Sequence, residues 1–99
     1  MTLVSATFLI NPGDTAAFEA AAADMVRLTN QEPGCLRYAV HQNPNQPGQY
    51  LFFEEWESRP HLEAHFNTEH FLKFKALTPA LSQEPAKVRV YEVQTFEDL

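Results

Sequence analysis

Three observations place this chain in the α+β class. Four stretches alternate apolar and polar residues with the period of a strand. Two others repeat apolar residues at helical spacing. Turn-forming residues separate them in the order β-α-β-β-α-β. That order predicts the ferredoxin-like split βαβ arrangement, a four-stranded antiparallel sheet with both helices on one face. Ninety-nine residues predict a single domain spanning 1–99. A chain of this length buries only about 60–65% of the surface it exposes when unfolded, so a partner subunit would add to a modest core.

The first strand runs from Leu3 to Ile10. Val4, Ala6, Phe8 and Ile10 take one face and Leu3, Ser5, Thr7 and Leu9 the other. Asn11-Pro12-Gly13-Asp14 is a turn, with Asp14 placed to cap a helix from Thr15 to about Asn30. Phe18, Ala21, Ala22, Met25, Leu28 and Thr29 form its apolar stripe, the alanine run favours helix, and Pro33-Gly34 ends it. Cys35 to Gln42 and Tyr50 to Glu57 form a hairpin around the turn-rich Asn43–Gly48 loop. Pro60 sits in the first turn of the second helix, where its missing N–H costs little. That helix runs to about Lys75 with a break expected at Asn67-Thr68. Pro79 and Pro85 bracket an irregular segment, and Lys87 to Thr95 is the fourth strand.

Both faces of the third strand are apolar. Tyr50, Phe52 and Trp56 share one face, and Leu51 and Phe53 the other. A sheet whose second face is wet should be polar there, so a second copy of the sheet is the expected cover, giving a homodimer.

The formal charge of −6 argues against a nucleic-acid partner, whose affinity comes largely from phosphate neutralisation, and against an anionic membrane surface. No segment reaches the 18 or so apolar residues of a spanning helix. Met1-Thr2-Leu3-Val4 has no basic start of a signal peptide. Cys35 is the only cysteine, so no intrachain disulfide can form and a reducing cytoplasm is the simpler location.

Chemistry concentrates between Phe53 and Phe71. His61 and His65 lie four apart and share a helix face. His70, five beyond His65, is rotated by roughly 140° and reaches the same place only if the helix bends. Strand alternation puts Glu54 on the face of Phe52 and Trp56, where a carboxylate needs a partner. His65 is the expected one, and such a pair would set the histidine's tautomer and protonation. Tyr38, Phe52 and Trp56 supply aromatic walls. A zinc site would have to use His61, His65 and Glu69 or Glu54. Without a His-Glu-x-x-His motif or a cysteine pair, no metal is expected. Only three glycines are present and none builds a phosphate loop, and no nicotinamide or flavin site is legible.

Two segments carry a resemblance to a known family. Glu32-Pro33-Gly34-Cys35 followed by Tyr38 resembles the entry to the second strand in antibiotic biosynthesis monooxygenase domains. Phe53-Glu54-Glu55-Trp56-Glu57-Ser58, with His65 and Thr68-Glu69-His70, resembles their central signature. The resemblance implies a dimeric α/β barrel. It also implies one of several activities: cofactor-free oxygenation, quinol oxidation, haem degradation or isomerisation of a phosphorylated signal. His65 stands where the haem branch carries a tryptophan, and Lys75 near that branch's axial histidine. Val4 to Ile10 lacks its asparagine, so haem breakdown is not expected. Val40 and Leu62 replace tyrosines of the polyketide-oxidising branch. His65 and His70 are more like the quinol monooxygenase and isomerase branches.

The reading that follows is a monooxygenase without a cofactor, acting with O2 on a small quinol, phenol or related aromatic. His65 is its base, Glu54 the orienter, and Tyr38, Phe52, Trp56 and His70 bind substrate. Two alternatives stay open. One is an isomerase of a small hydroxyketone, phosphorylated or not. The other is a non-catalytic dimer that binds a small molecule.

Overall fold

A computed structural model describes residues 1–99. The elements are β1 (Thr2–Leu9), a 3₁₀ turn (Pro12–Asp14), α1 (Thr15–Thr29), β2 (Cys35–Gln42), β3 (Gln49–Trp56), α2 (Arg59–His65), α3 (Glu69–Leu81) and β4 (Lys87–Glu92). The strands form one antiparallel sheet in the order β2-β3-β1-β4, which is the ferredoxin-like α+β arrangement.

Alternation decides which side of the sheet is covered. Val4 and Ala6 of β1, Tyr38 of β2, and Tyr50, Phe52, Glu54 and Trp56 of β3 are buried on the helix side. Phe18, Ala22 and Met25 of α1 pack down on them, joined by Leu62 of α2 and Phe74 of α3. Leu51 and Tyr91 emerge on the opposite side, 37% and 41% exposed. Beside them the Arg37 guanidinium stacks 4.9 Å from the centre of the Phe53 ring.

Several element boundaries differ from expectation. Asp14 holds the N-cap position of α1, as expected, but its side chain makes no capping bond to the helix. It lies in the preceding 3₁₀ turn, where its carboxylate accepts a 3.3 Å bond from the Asn11 amide. Strand β1 ends at Leu9, and Ile10 instead bridges to Ser82. The second helical region is two helices parted at Phe66–Thr68, as expected, but the second continues past Lys75 and through Pro79 to Leu81. Pro79 comes so near the helix end that its ring removes a single hydrogen bond, the one that would reach Lys75. Strand β4 stops at Glu92 rather than Thr95 because β1 is its only partner, and β1 runs out at Thr2, opposite Glu92. The hairpin loop is held by Asn43 and Gln49, whose side chains meet at 2.7 Å. Gly48 follows with φ +85°, and a Cβ there would come within 2.7 Å of the Ile10 carbonyl oxygen.

Candidate active site

Three backbone features bring three titratable side chains together. The first is the exit from α1. Asn30 donates from its side-chain amide to the carbonyls of Val26 (2.7 Å) and Tyr38 (3.0 Å), tying the helix end to β2. A turn closed by Glu32 N–H on Thr29 C=O then presents Glu32. The second is the end of α2 at His65. The third is the start of α3, capped by Thr68. Its hydroxyl donates to the His65 carbonyl (2.8 Å) and accepts from the Phe71 N–H (3.3 Å). Because the chain bends there, His70 comes round to the side of His65, which a straight helix forbids.

One carboxylate oxygen, Glu32 Oε2, lies 2.7 Å from His65 Nδ1 and 2.6 Å from His70 Nε2. This corrects the expected pairing of His65 with Glu54. Glu54 is instead taken by its neighbour on the same strand face, accepting a 3.1 Å bond from the Trp56 indole N–H. His61, the third histidine of the segment, is half-buried at the start of α2, with Nδ1 2.7 Å from Ser58 Oγ. It takes no part in the cluster.

His65 is 1% exposed and boxed by aromatic rings. Trp56 and Phe71 lie at 5.0 Å between centroids, Tyr38 at 5.6 Å and Phe66 at 6.0 Å. Burial pushes the His65 pKa below its ordinary value, outweighing the opposite pull of Glu32. The ring is therefore neutral at pH 7, and its Nδ1–H donates to the Glu32 carboxylate. Nε2 keeps its lone pair and bonds to no protein group. Burial raises the Glu54 carboxyl to about 7, against the Trp56 bond and with help from the Glu32 charge. Burial, then the charges of Glu54 and Glu32, raise the Tyr38 hydroxyl, which stays protonated.

A cavity of about 670 Å³ lies between the sheet and the helices. That is the size of a small-molecule site. Val4, Ala6, Phe8, Met25, Phe66, Phe71 and Phe74 make it mostly apolar, and His65, Glu54 and Tyr38 add convergent polar groups. Phe52 lines it as well. Trp56 and His70, both expected against substrate, are not in its lining. Trp56 stands behind Glu54 and His65, and His70 behind Glu32. Lys75 is the one cation at the wall. Glu32 stands out in the sequence only through the Glu32-Pro33-Gly34-Cys35 motif, and nothing there ties it to a histidine 33 residues away.

Fold and site define a class: ferredoxin-like α+β proteins with a histidine, oriented by a carboxylate, in the wall of an apolar cavity. Residues 1–77 match the family model described as antibiotic biosynthesis monooxygenase, and the chain belongs to that family. A Synechocystis protein, sll1783, is 28% identical over 98% of this chain, which spans 66% of that relative's length. A Mycobacterium tuberculosis protein, named "Putative monooxygenase Rv0793", is 30% identical over 88% of this chain and 85% of its own. Its solved structure superposes with a TM-score of 0.92 over 98% of both chains. PA3566 from Pseudomonas aeruginosa superposes with a TM-score of 0.86 at 32% identity, over 95% of this chain and 94% of its own.

Proposed function

We propose that this protein is a monooxygenase that oxidises a small quinol or phenol with O2 and needs no cofactor, His65 serving as the base. One observation carries the reading. His65 is neutral, its tautomer is held by Glu32, and its free Nε2 belongs to a residue in the wall of an apolar cavity. The family membership supports it.

The chemistry follows from oxygen's electronic state. Ground-state O2 is a triplet, and its direct reaction with a closed-shell molecule is spin-forbidden. A phenolate can pass one electron to O2, and the radical pair then combines. His65 takes the hydroxyl proton at Nε2, and the Glu32 carboxylate stabilises the imidazolium through Nδ1–H. The apolar walls keep water from the radical pair. The balance closes without an added reductant. The quinol loses two hydrogens and gains one oxygen atom to become a hydroxyquinone, and the second oxygen leaves as water. Tyr38 and Phe52 wall the ring. Glu54, held near its neutral form, can donate a hydrogen bond to a developing carbonyl.

The proposal extends to a homodimer in the cytoplasm. The outer sheet face, with Leu51, Phe53 and Tyr91, suits a second copy of the sheet. The unpaired Cys35 suits a reducing compartment. No helix is long and apolar enough to cross a membrane.

Oxygen uptake by chelator-treated protein with a panel of quinols tests the reaction. His65→Ala should lower kcat/KM by about 10²–10⁴-fold. Because burial lowers the His65 pKa, the base is present at neutral pH and the rate should fall on the acid side, below about 6.5, while loss of the Glu54 proton above about 7 should add a second, alkaline fall. Full activity in His65→Ala rules the mechanism out. Deuterium exchange into a hydroxyketone without oxygen consumption would select isomerisation instead.

A further inference from the structure

Glu32, His65 and His70 come from three different segments and meet through their polar atoms. The ligating atoms all lie within 4.8 Å of one another. Two imidazole nitrogens and a carboxylate oxygen are a donor set that suits zinc and its first-row neighbours. We propose that these three residues form a binding site for one divalent transition-metal ion, and that the ion, once bound, turns off His65 as a base.

The present hydrogen bonds show how an ion would enter. Each imidazole points toward Glu32 Oε2 the nitrogen that a metal would use: Nδ1 of His65 and Nε2 of His70. Both N–H protons move to the opposite ring nitrogens, and both lone pairs then face the ion. At His65 no proton has to leave, because its neutral imidazole only changes tautomer. Ligand atoms about 2.0–2.2 Å from zinc stand roughly 3.3–3.6 Å apart in a tetrahedron. The present N···O separations of 2.6 and 2.7 Å are shorter, so the carboxylate must draw back by less than about 1 Å, and the two ring nitrogens, within 4.8 Å of each other, must settle at the same spacing. Glu32 lies outside any helix or strand. It sits in a turn with an 11% exposed side chain, and His70 is 19% exposed, so the cluster can be reached from solvent. Only His65 of the three lines the cavity. The ion would therefore sit behind the base and would not face substrate.

That placement gives the site its effect. Metal at Nδ1 forces the His65 proton onto Nε2, the atom that must be free to take a proton from substrate. Metal and base use the two ends of one ring and exclude each other. The binding site stands on geometry alone, and only the loss of turnover rests on the proposed reaction.

Titration of metal-free full-length protein with Co²⁺, followed by Zn²⁺ displacement, tests the site. One Co²⁺ per chain should bind with visible d–d absorption, and one Zn²⁺ should erase it. Glu32→Gln and His70→Gln, each checked for folding by circular dichroism, should each weaken binding at least about 100-fold. That exceeds the roughly 10–100-fold typical of losing a metal site's outer hydrogen-bonding partner. His61→Ala should leave binding unchanged. Nitrogen-15 spectra of the imidazoles should show the His65 proton at Nδ1 without zinc and at Nε2 with it. Zinc should abolish oxygen uptake at one equivalent. Cobalt binding that never saturates, or that persists in both the Glu32 and His70 variants, overturns the proposal. So does a His65 tautomer indifferent to zinc. A metal-free protein without oxygen uptake would instead count against the monooxygenase reading and leave these spectra to judge the site.

Discussion

Glu54 sits between Phe52 and Trp56 on the buried face of β3, 6% exposed, with one hydrogen bond to share its charge. Its carboxyl is raised from 4.5 to about 7. The folded state therefore holds a proton that the unfolded chain releases as pH climbs above 4.5. Stability contributed by this group is full below that value, falls as pH rises through 4.5–7, and stays low above. Glu54→Gln keeps an acceptor for Trp56 and removes the titration. The variant should be as stable as the parent at pH 5 and more stable at pH 8, by on the order of 2–3 kcal/mol. Thermal melts across that range check the sign, and a gap that shrinks toward pH 8 would refute it. At this scale His65 was legible, because a histidine follows an aromatic, acid-bearing strand at a recognisable distance. Its partner was not. Strand alternation correctly put Glu54 and Trp56 together, yet that proximity satisfies Glu54 locally. Only the bend between α2 and α3 and the turn at Glu32 decide that a different carboxylate reaches the imidazole.

The elements hold the site through their ends. Gly34 connects Glu32 to β2 with φ +77°, and its carbonyl accepts a 2.9 Å bond from Glu57 N–H. A Cβ at this position would run into the His61 ring and come within 2.7 Å of the His61 Cβ. Both the backbone conformation and the close approach of α2 exclude a side chain. Gly34→Ala should cost about 1–3 kcal/mol of stability, measured by urea unfolding. It should also lower kcat by shifting Glu32 away from His65. An unchanged melting curve would mean that the turn tolerates the methyl group. The break at Asn67-Thr68 was visible as a run of helix-poor residues next to a capping threonine. The continuation of α3 past Pro79 was not. A proline near a helix end and a proline that stops a helix look alike until the packing of Phe74 and Thr78 settles the matter.

For the molecule as a whole, strand order and buried face follow from the period-2 pattern, so the fold was the most legible part of the sequence. The apolar character of both sheet faces was legible too, and it carries the proposed assembly. A sheet-to-sheet contact should bury roughly 800 Å² or more per subunit. Leu51→Asp combined with Phe53→Asp places charge in the middle of that face. Sedimentation should show the parent as a dimer at micromolar concentration and the variant as a monomer with a lower melting temperature. A monomeric parent would refute the dimer. The cavity lies on the other side of the sheet from that face.

The strand order β2-β3-β1-β4 also governs how the chain can fold in time. The first strand is one of the two central ones, and its neighbours arrive late: Thr2 pairs with Trp56 on one side and Glu92 on the other. The β2-β3 hairpin can close early, since its loop is short. During synthesis β1 has no β-partner until β3 has been made, and its second edge stays open until β4 appears. The cavity walls at Val4 and Ala6 therefore come together only after most of the chain exists, which places cavity formation in a slow, non-local step. In stopped-flow refolding, Ala39→Gly in the hairpin should slow folding, whereas Val90→Ala in β4 should chiefly speed unfolding.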